Sequence, residues 1–171
     1  MVALPALAVF AFVLGLPVAG PAWPVEPVAI VARFDPPAER WGAGHRGIDF
    51  GAGTGQTVRS ITAGTIGFAG VVAGKPVVTV LMADGRRVTY EPVQSSRAAG
   101  TPVASGDPIG TVAAHGGHCG GLAGCMHVGL LRGEDYLDPL LLLRRPSVLK
   151  PLKALGPLGP LGPVSPTPPT P

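Results

Sequence analysis

Between residues 44 and 143, apolar positions fall in short runs, and no stretch sustains the 3.6-residue period of an amphipathic helix. The runs are "TVRSIT", "GTIGFAG", "PVVTVLM", "RRVTYEPV", "PIGTVAA" and "CMHVGLL". They are rich in Val, Ile and Thr, which suit a pleated surface, and Gly, Asp-Gly and Ser-Gly-Asp punctuate them. The pattern predicts an all-β domain of about 100 residues. "ADGRR" predicts a hairpin, and "ASGDPIG" a tight turn entering a strand. In "CMHVGLL" the alternation places Cys125, His127 and Gly129 on one face.

The flanks read differently. Residues 1–22 are apolar almost throughout and carry no charged side chain. A secretory signal is expected, with small residues at Gly20-Pro21-Ala22 before Trp23. The usual Lys or Arg near the start is missing, so an uncleaved N-terminal anchor is the alternative, and a buried apolar helix is a third reading. Residues 23–43 form a Pro-rich lead-in, expected to wrap the domain surface with Trp23, Phe34 and Trp41 as anchors. Pro36-Pro37 argues against a helix there. The domain itself is expected over 44–146, closed by "YLDPLLLLRRP", where Asp138-Pro139 starts a helical turn whose leucines pack on the sheet. Residues 147–171 end in a Pro/Thr tail that cannot bury a core, and are read as a disordered or polyproline-like spacer.

Composition sharpens this picture in three respects. Of 171 residues, 26 are Gly and 21 Pro, which suits a turn-rich β domain with irregular ends. The net charge of +3 comes with no basic run beyond the pairs at 86–87 and 144–145, and no interleaved aromatics, so no nucleic-acid partner is expected. The two cysteines, Cys119 and Cys125, would pair in an oxidising compartment and staple the loop "GGLAG" between them. A reactive thiol or a thiolate metal ligand is the competing reading. Together with the N-terminal segment, they predict a secreted, extracytoplasmic protein of the cell envelope, touching the membrane only if that segment stays uncleaved. A monomer is expected.

"GHRGIDF" holds the first candidate chemistry, His45 and Asp49. In a straight strand these lie roughly 13 Å apart, whereas a shared metal needs both within about 2 Å of it. The segment must therefore bend, which Gly44 and Gly47 allow. Alone, the pair is equally well read as a turn histidine and a capping aspartate. A third ligand is expected from His127, fixed on a strand beside the expected disulfide, rather than from His115 or His118, whose orientation is free in the loop "AHGGHC".

The order of these motifs resembles peptidase family M23, the lysostaphin or LytM type, over roughly residues 44–143. His45, Gly47 and Asp49 match its His-x-Gly-x-Asp opening, Gly55 and Val58 its Gly-x-x-Val, and Gly64, Thr65 and Ile66 its Gly-x-Val. "VASGDPIGTV" and "CMHVGL" fall where its Val-x-x-Gly-x-x-Ile-Gly and His-x-His stretches lie. The resemblance implies an antiparallel β-sheet domain, like a duplicated hybrid motif, with a zinc groove. It implies Zn²⁺ held by His45, Asp49 and His127. It implies an activity that cuts peptide bonds in the stem or cross-bridge of peptidoglycan.

Two departures accompany it. The family's assisting histidines fall here at Pro92, in "YEP", and at Cys125. Neither a proline nor a disulfide-bonded cysteine shuttles a proton. Conceivable substitutes are Glu91, if it does not point away from the site, and His118 or His115 from the loop. Three functions follow: a zinc endopeptidase with unusual helpers, a degenerate domain that binds wall or regulates another hydrolase, and an envelope scaffold without metal.

Overall fold

The structure, a computed structural model, describes residues 22–115 and 124–144. The N-terminal apolar segment up to residue 21, the loop carrying His118 and Cys119, and the tail beyond residue 144 lie outside the described residues. The strands in chain order are β1 (Ile30–Ala32), β2 (Ile48–Gly51), β3 (Thr57–Arg59), β4 (Gly64–Val72), β5 (Lys75–Leu81) and β6 (Arg86–Glu91). They continue as β7 (Val93–Ser95), β8 (Pro102–Val103), β9 (Pro108–Val112), β10 (Cys125–Arg132) and β11 (Asp135–Leu137), followed by a single helical turn, α1 (Leu140–Leu143). This is the all-β antiparallel architecture that the short alternating runs predict. The larger sheet runs β1-β2-β10-β6-β5-β4-β8, with β11 also paired to β10, and β3-β9-β7 form a smaller one.

Alternation along the central strands builds the core. Met126, Val128 and Leu130 of β10, Val88 and Tyr90 of β6, Val78 and Val80 of β5, and Ile48 and Phe50 of β2 are all fully buried. They join Val58, Val93, Ile109 and Val112 of the smaller sheet in one cluster. Removing each such side chain from water stabilises the fold by about 1.5–3 kcal/mol. The "ADGRR" hairpin forms between β5 and β6. Gly85 takes a φ of +83°, a region that L side chains disfavour, and the Asp84 carboxylate accepts from the Arg86 backbone N–H at 3.1 Å and its Nε at 2.8 Å. The hydrogen bond from the Arg86 guanidinium holds the Asp84 carboxyl below its ordinary value. At the C-terminal end Asp138 accepts the Leu140 N–H at 2.9 Å, starting the helical turn where Asp138-Pro139 predicts it, and Leu143 is buried.

The lead-in departs from expectation. It does not merely wrap the surface, because Ile30–Ala32 forms the edge strand β1 against β2. Trp23 and Phe34 pack on the core, Trp23 meeting Phe50 edge-on at 6.3 Å, but Trp41 is 87% exposed and anchors nothing.

Candidate metal centre

β10 lies between β2 and β6, and the register aligns three polar residues across it. His127 stands opposite Asp49 on β2 and opposite Glu91 on β6. Directly opposed residues in antiparallel strands hold their Cβ atoms about 4.5–5.5 Å apart. Because Ile48, Phe50, Val128 and Tyr90 fill the core, the alternation sends Asp49, His127 and Glu91 to the other face of the sheet. Glu91 therefore does not point away from His127. It lies 3.6 Å from the Lys75 ammonium at the start of β5.

His45 joins this row from outside β2. It bridges to Asp35, with the Asp35 N–H donating to its carbonyl at 2.9 Å and its own N–H to the Asp35 carbonyl at 2.7 Å. The chain then turns over β10 at Gly47. A Cβ there would stand 2.3 Å from the Val128 carbonyl oxygen and 2.5 Å from His127 Cε1 and Nε2, so only glycine passes. This close bend brings His45 and Asp49 together as the spacing requires.

Three donor atoms converge. Asp49 Oδ1 is 2.7 Å from His127 Nδ1 and 3.0 Å from His45 Nε2, and the two ring nitrogens are 3.2 Å apart. Asp49 is buried and both imidazoles are partly so. His45 Nδ1 lies 2.7 Å from the Arg33 carbonyl, which can only accept, so Nδ1 carries the hydrogen. In the neutral ring Nε2 then turns a lone pair toward Asp49 and His127. This is the orienting contact that metal-ligating histidines usually make. A tetrahedral zinc with bonds of about 2.0–2.1 Å spaces its ligand atoms about 3.3 Å apart. The trio accepts such an ion by parting slightly. Two imidazole nitrogens with one carboxylate oxygen suit zinc and leave a coordination position open, whereas magnesium and calcium favour all-oxygen sets.

The remaining candidates are placed less closely. His115 is exposed on the loop after β9. His118 and Cys119 lie outside the described residues, and so does the expected disulfide as a pair. Cys125 is buried at the start of β10, opposite Gly51, and Pro92 is buried beyond β6. The Arg33 carbonyl is a contributor that sequence reasoning missed. Its signal was the apolar β-branched run "VAIVARF" inside a segment set aside for its prolines.

The sequence profile of peptidase family M23 matches residues 43–139, spanning this row and the sheet around it. The chain belongs to peptidase family M23. An uncharacterized protein of Mycobacterium tuberculosis is 42% identical over 137 residues, covering 76% of this chain and 54% of its own length. The M23 chain thus spans about half the length of the curated relatives it matches. Among solved structures, Helicobacter pylori Csd3 superposes with a TM-score of 0.60 at 25% identity, over 74% of this chain and 33% of that one. The solution structure of lysostaphin superposes with a TM-score of 0.59 at 24% identity, over 88% of this chain and 60% of that one, and shares the fold. M23 peptidases are typically zinc-dependent, and the His45-Asp49-His127 group of this M23 domain could hold a metal.

Proposed function

We propose that this chain is an exported zinc metalloendopeptidase acting on peptidoglycan stem or cross-bridge peptides. The observation that carries the reading is the convergence of His45 Nε2, Asp49 Oδ1 and His127 Nδ1 within 3.2 Å of one another. Membership of family M23 supports the reaction class. Those three atoms would hold the ion. Bound zinc would bring the pKa of a coordinated water toward about 7 and polarise a scissile carbonyl. The chain's own residues do the rest. The Arg33 carbonyl fixes the His45 tautomer, and Gly47 keeps the His127 ring against the turn. Glu91, opposite His127 on the same face and 3.6 Å from the Lys75 ammonium, is the carboxylate that would take and return a proton. His118 is the second candidate for that role. Export rests on residues 1–22, and a Cys119–Cys125 disulfide would fit an oxidising compartment.

The test is digestion of purified peptidoglycan by the zinc-loaded full chain, read as newly exposed amino termini. Cleavage that a chelator abolishes and zinc restores is expected. Glu91→Gln should slow it roughly 10²–10⁴-fold with metal content unchanged. A Glu91→Gln rate equal to the parent's removes Glu91 from the mechanism. No cleavage under any zinc condition overturns the peptidase reading.

Pro92 and Cys125 favour a second reading. They stand where the family's assisting histidines are expected, and neither a proline nor a disulfide-bonded cysteine would move a proton. A degenerate domain would sediment with peptidoglycan, or alter another hydrolase, without exposing amino termini.

A further inference from the structure

On the same side of the larger sheet the loop before His45 and the β10–β11 hairpin enclose a second feature, a cleft of about 790 Å³. That size falls in the range of about 300–1,000 Å³ typical of ligand sites. Trp41 and Tyr136 line it, with Leu131 at its base and Arg46, Arg87 and Glu134 around it. Leu131 shares its β10 face with His127, four residues on, about 13 Å along the strand. Arg46 directly follows His45 in the chain. The cleft thus adjoins the metal candidate.

Its walls are tied in place. Arg40 ion-pairs with Glu134 across the cleft and lies 5.2 Å from the Trp41 ring centre. Arg46 donates to the Arg40 carbonyl at 2.7 Å and the Gly42 carbonyl at 3.1 Å, and Arg87 to the Gly133 carbonyl at 2.7 Å. A fixed cleft loses little entropy when it takes a ligand. Trp41 is 87% and Tyr136 41% exposed, so two aromatic side chains stand open to water in one concavity. A lone exposed aromatic needs no explanation, but two lining one cleft beside hydrogen-bonding groups do.

We infer that this cleft binds a saccharide strand, the glycan that carries the peptides taken by the neighbouring site. The identity of the glycan rests on the proposed reading of that site. A pyranose ring offers a flat C–H face to an indole or phenol, and hydroxyl and acetamide groups at its edge. The guanidinium donors of Arg46 and Arg87 and the carboxylates of Glu134 and Asp135 match that edge. Positive and negative groups both line the cleft, which suits an uncharged, hydroxyl-rich ligand better than a polyanion.

The test is co-sedimentation and calorimetry of the full chain with peptidoglycan glycan strands freed of stem peptide by an amidase. Isolated stem peptide serves as the competing probe, and zinc content is measured in parallel. Binding to stripped glycan is expected, unaffected by chelator. Trp41→Ala and Tyr136→Ala, both at exposed positions, should weaken it roughly tenfold or more while leaving zinc content unchanged. Glycan binding by a chain that takes no zinc supports this inference and overturns only the peptidase reading. Stripped glycan that fails to bind, binding unchanged in both variants, or displacement by stem peptide alone overturns the inference.

Discussion

Gly47 is the residue on which the site's geometry depends most sharply. A methyl group there would overlap the Val128 carbonyl and the His127 ring, and the backbone oxygen cannot yield without breaking β10 pairing. Gly47→Ala should therefore push His127 out of line with His45 and Asp49. The expected outcome is a loss of about 1–3 kcal/mol in stability by denaturant unfolding, with zinc affinity falling at least roughly tenfold. Tyr90, one position before Glu91, acts on the core side. Its hydroxyl accepts the buried Ile61 N–H at 2.9 Å, and burial pushes its pKa up to about 12. A raised folded-state pKa means that the folded protein keeps the proton longer than the unfolded chain. Stability from this group is full below about pH 10 and declines as pH climbs from there toward about 12. Tyr90→Phe should cost about 1–3 kcal/mol at neutral pH, because the Ile61 N–H loses its partner. It should also flatten that alkaline decline, which unfolding curves at successive pH values would reveal.

β10 is the element on which fold and site meet. One face contributes Met126, Val128 and Leu130 to the core, and the other presents His127. A one-residue slip would exchange the two faces, so core burial fixes the register that aligns Asp49, His127 and Glu91. Leu130→Ala should cost about 2–5 kcal/mol in stability, while the folded fraction retains its metal affinity. A proportional loss of metal affinity would mean that core and site are not separable in this way. The period-two runs, the Asp-Gly turn and the helical turn after Asp138-Pro139 were all legible, because each is a local property of a few side chains. β1 was not, since prolines on both sides of "AIVARF" masked a short strand whose stability comes from pairing with β2. The face of Glu91 depends on register with a strand some 36 residues away in sequence, which no local pattern encodes. The exposure of Trp41 was equally hidden, because an aromatic in a lead-in reads as an anchor until its surroundings are known.

For the molecule as a whole, the order of motifs along the chain carried more than any one of them. The M23 resemblance joins His45, Asp49 and His127 into one ligand set, and folding brings their donor atoms within 3.2 Å. Family membership and the β-sheet architecture agree with that resemblance. The altered positions at Pro92 and Cys125 leave the metal trio intact while changing the groups around it. Metal binding therefore comes first, and the rate of any reaction depends on it. The most direct test is zinc bound per chain, measured by elemental analysis after loading and desalting the full protein beside His127→Ala. About one zinc per chain, lost in the variant, is the predicted result. A parent protein that holds no zinc when the ion is supplied, or a variant that holds as much as the parent, would contradict it.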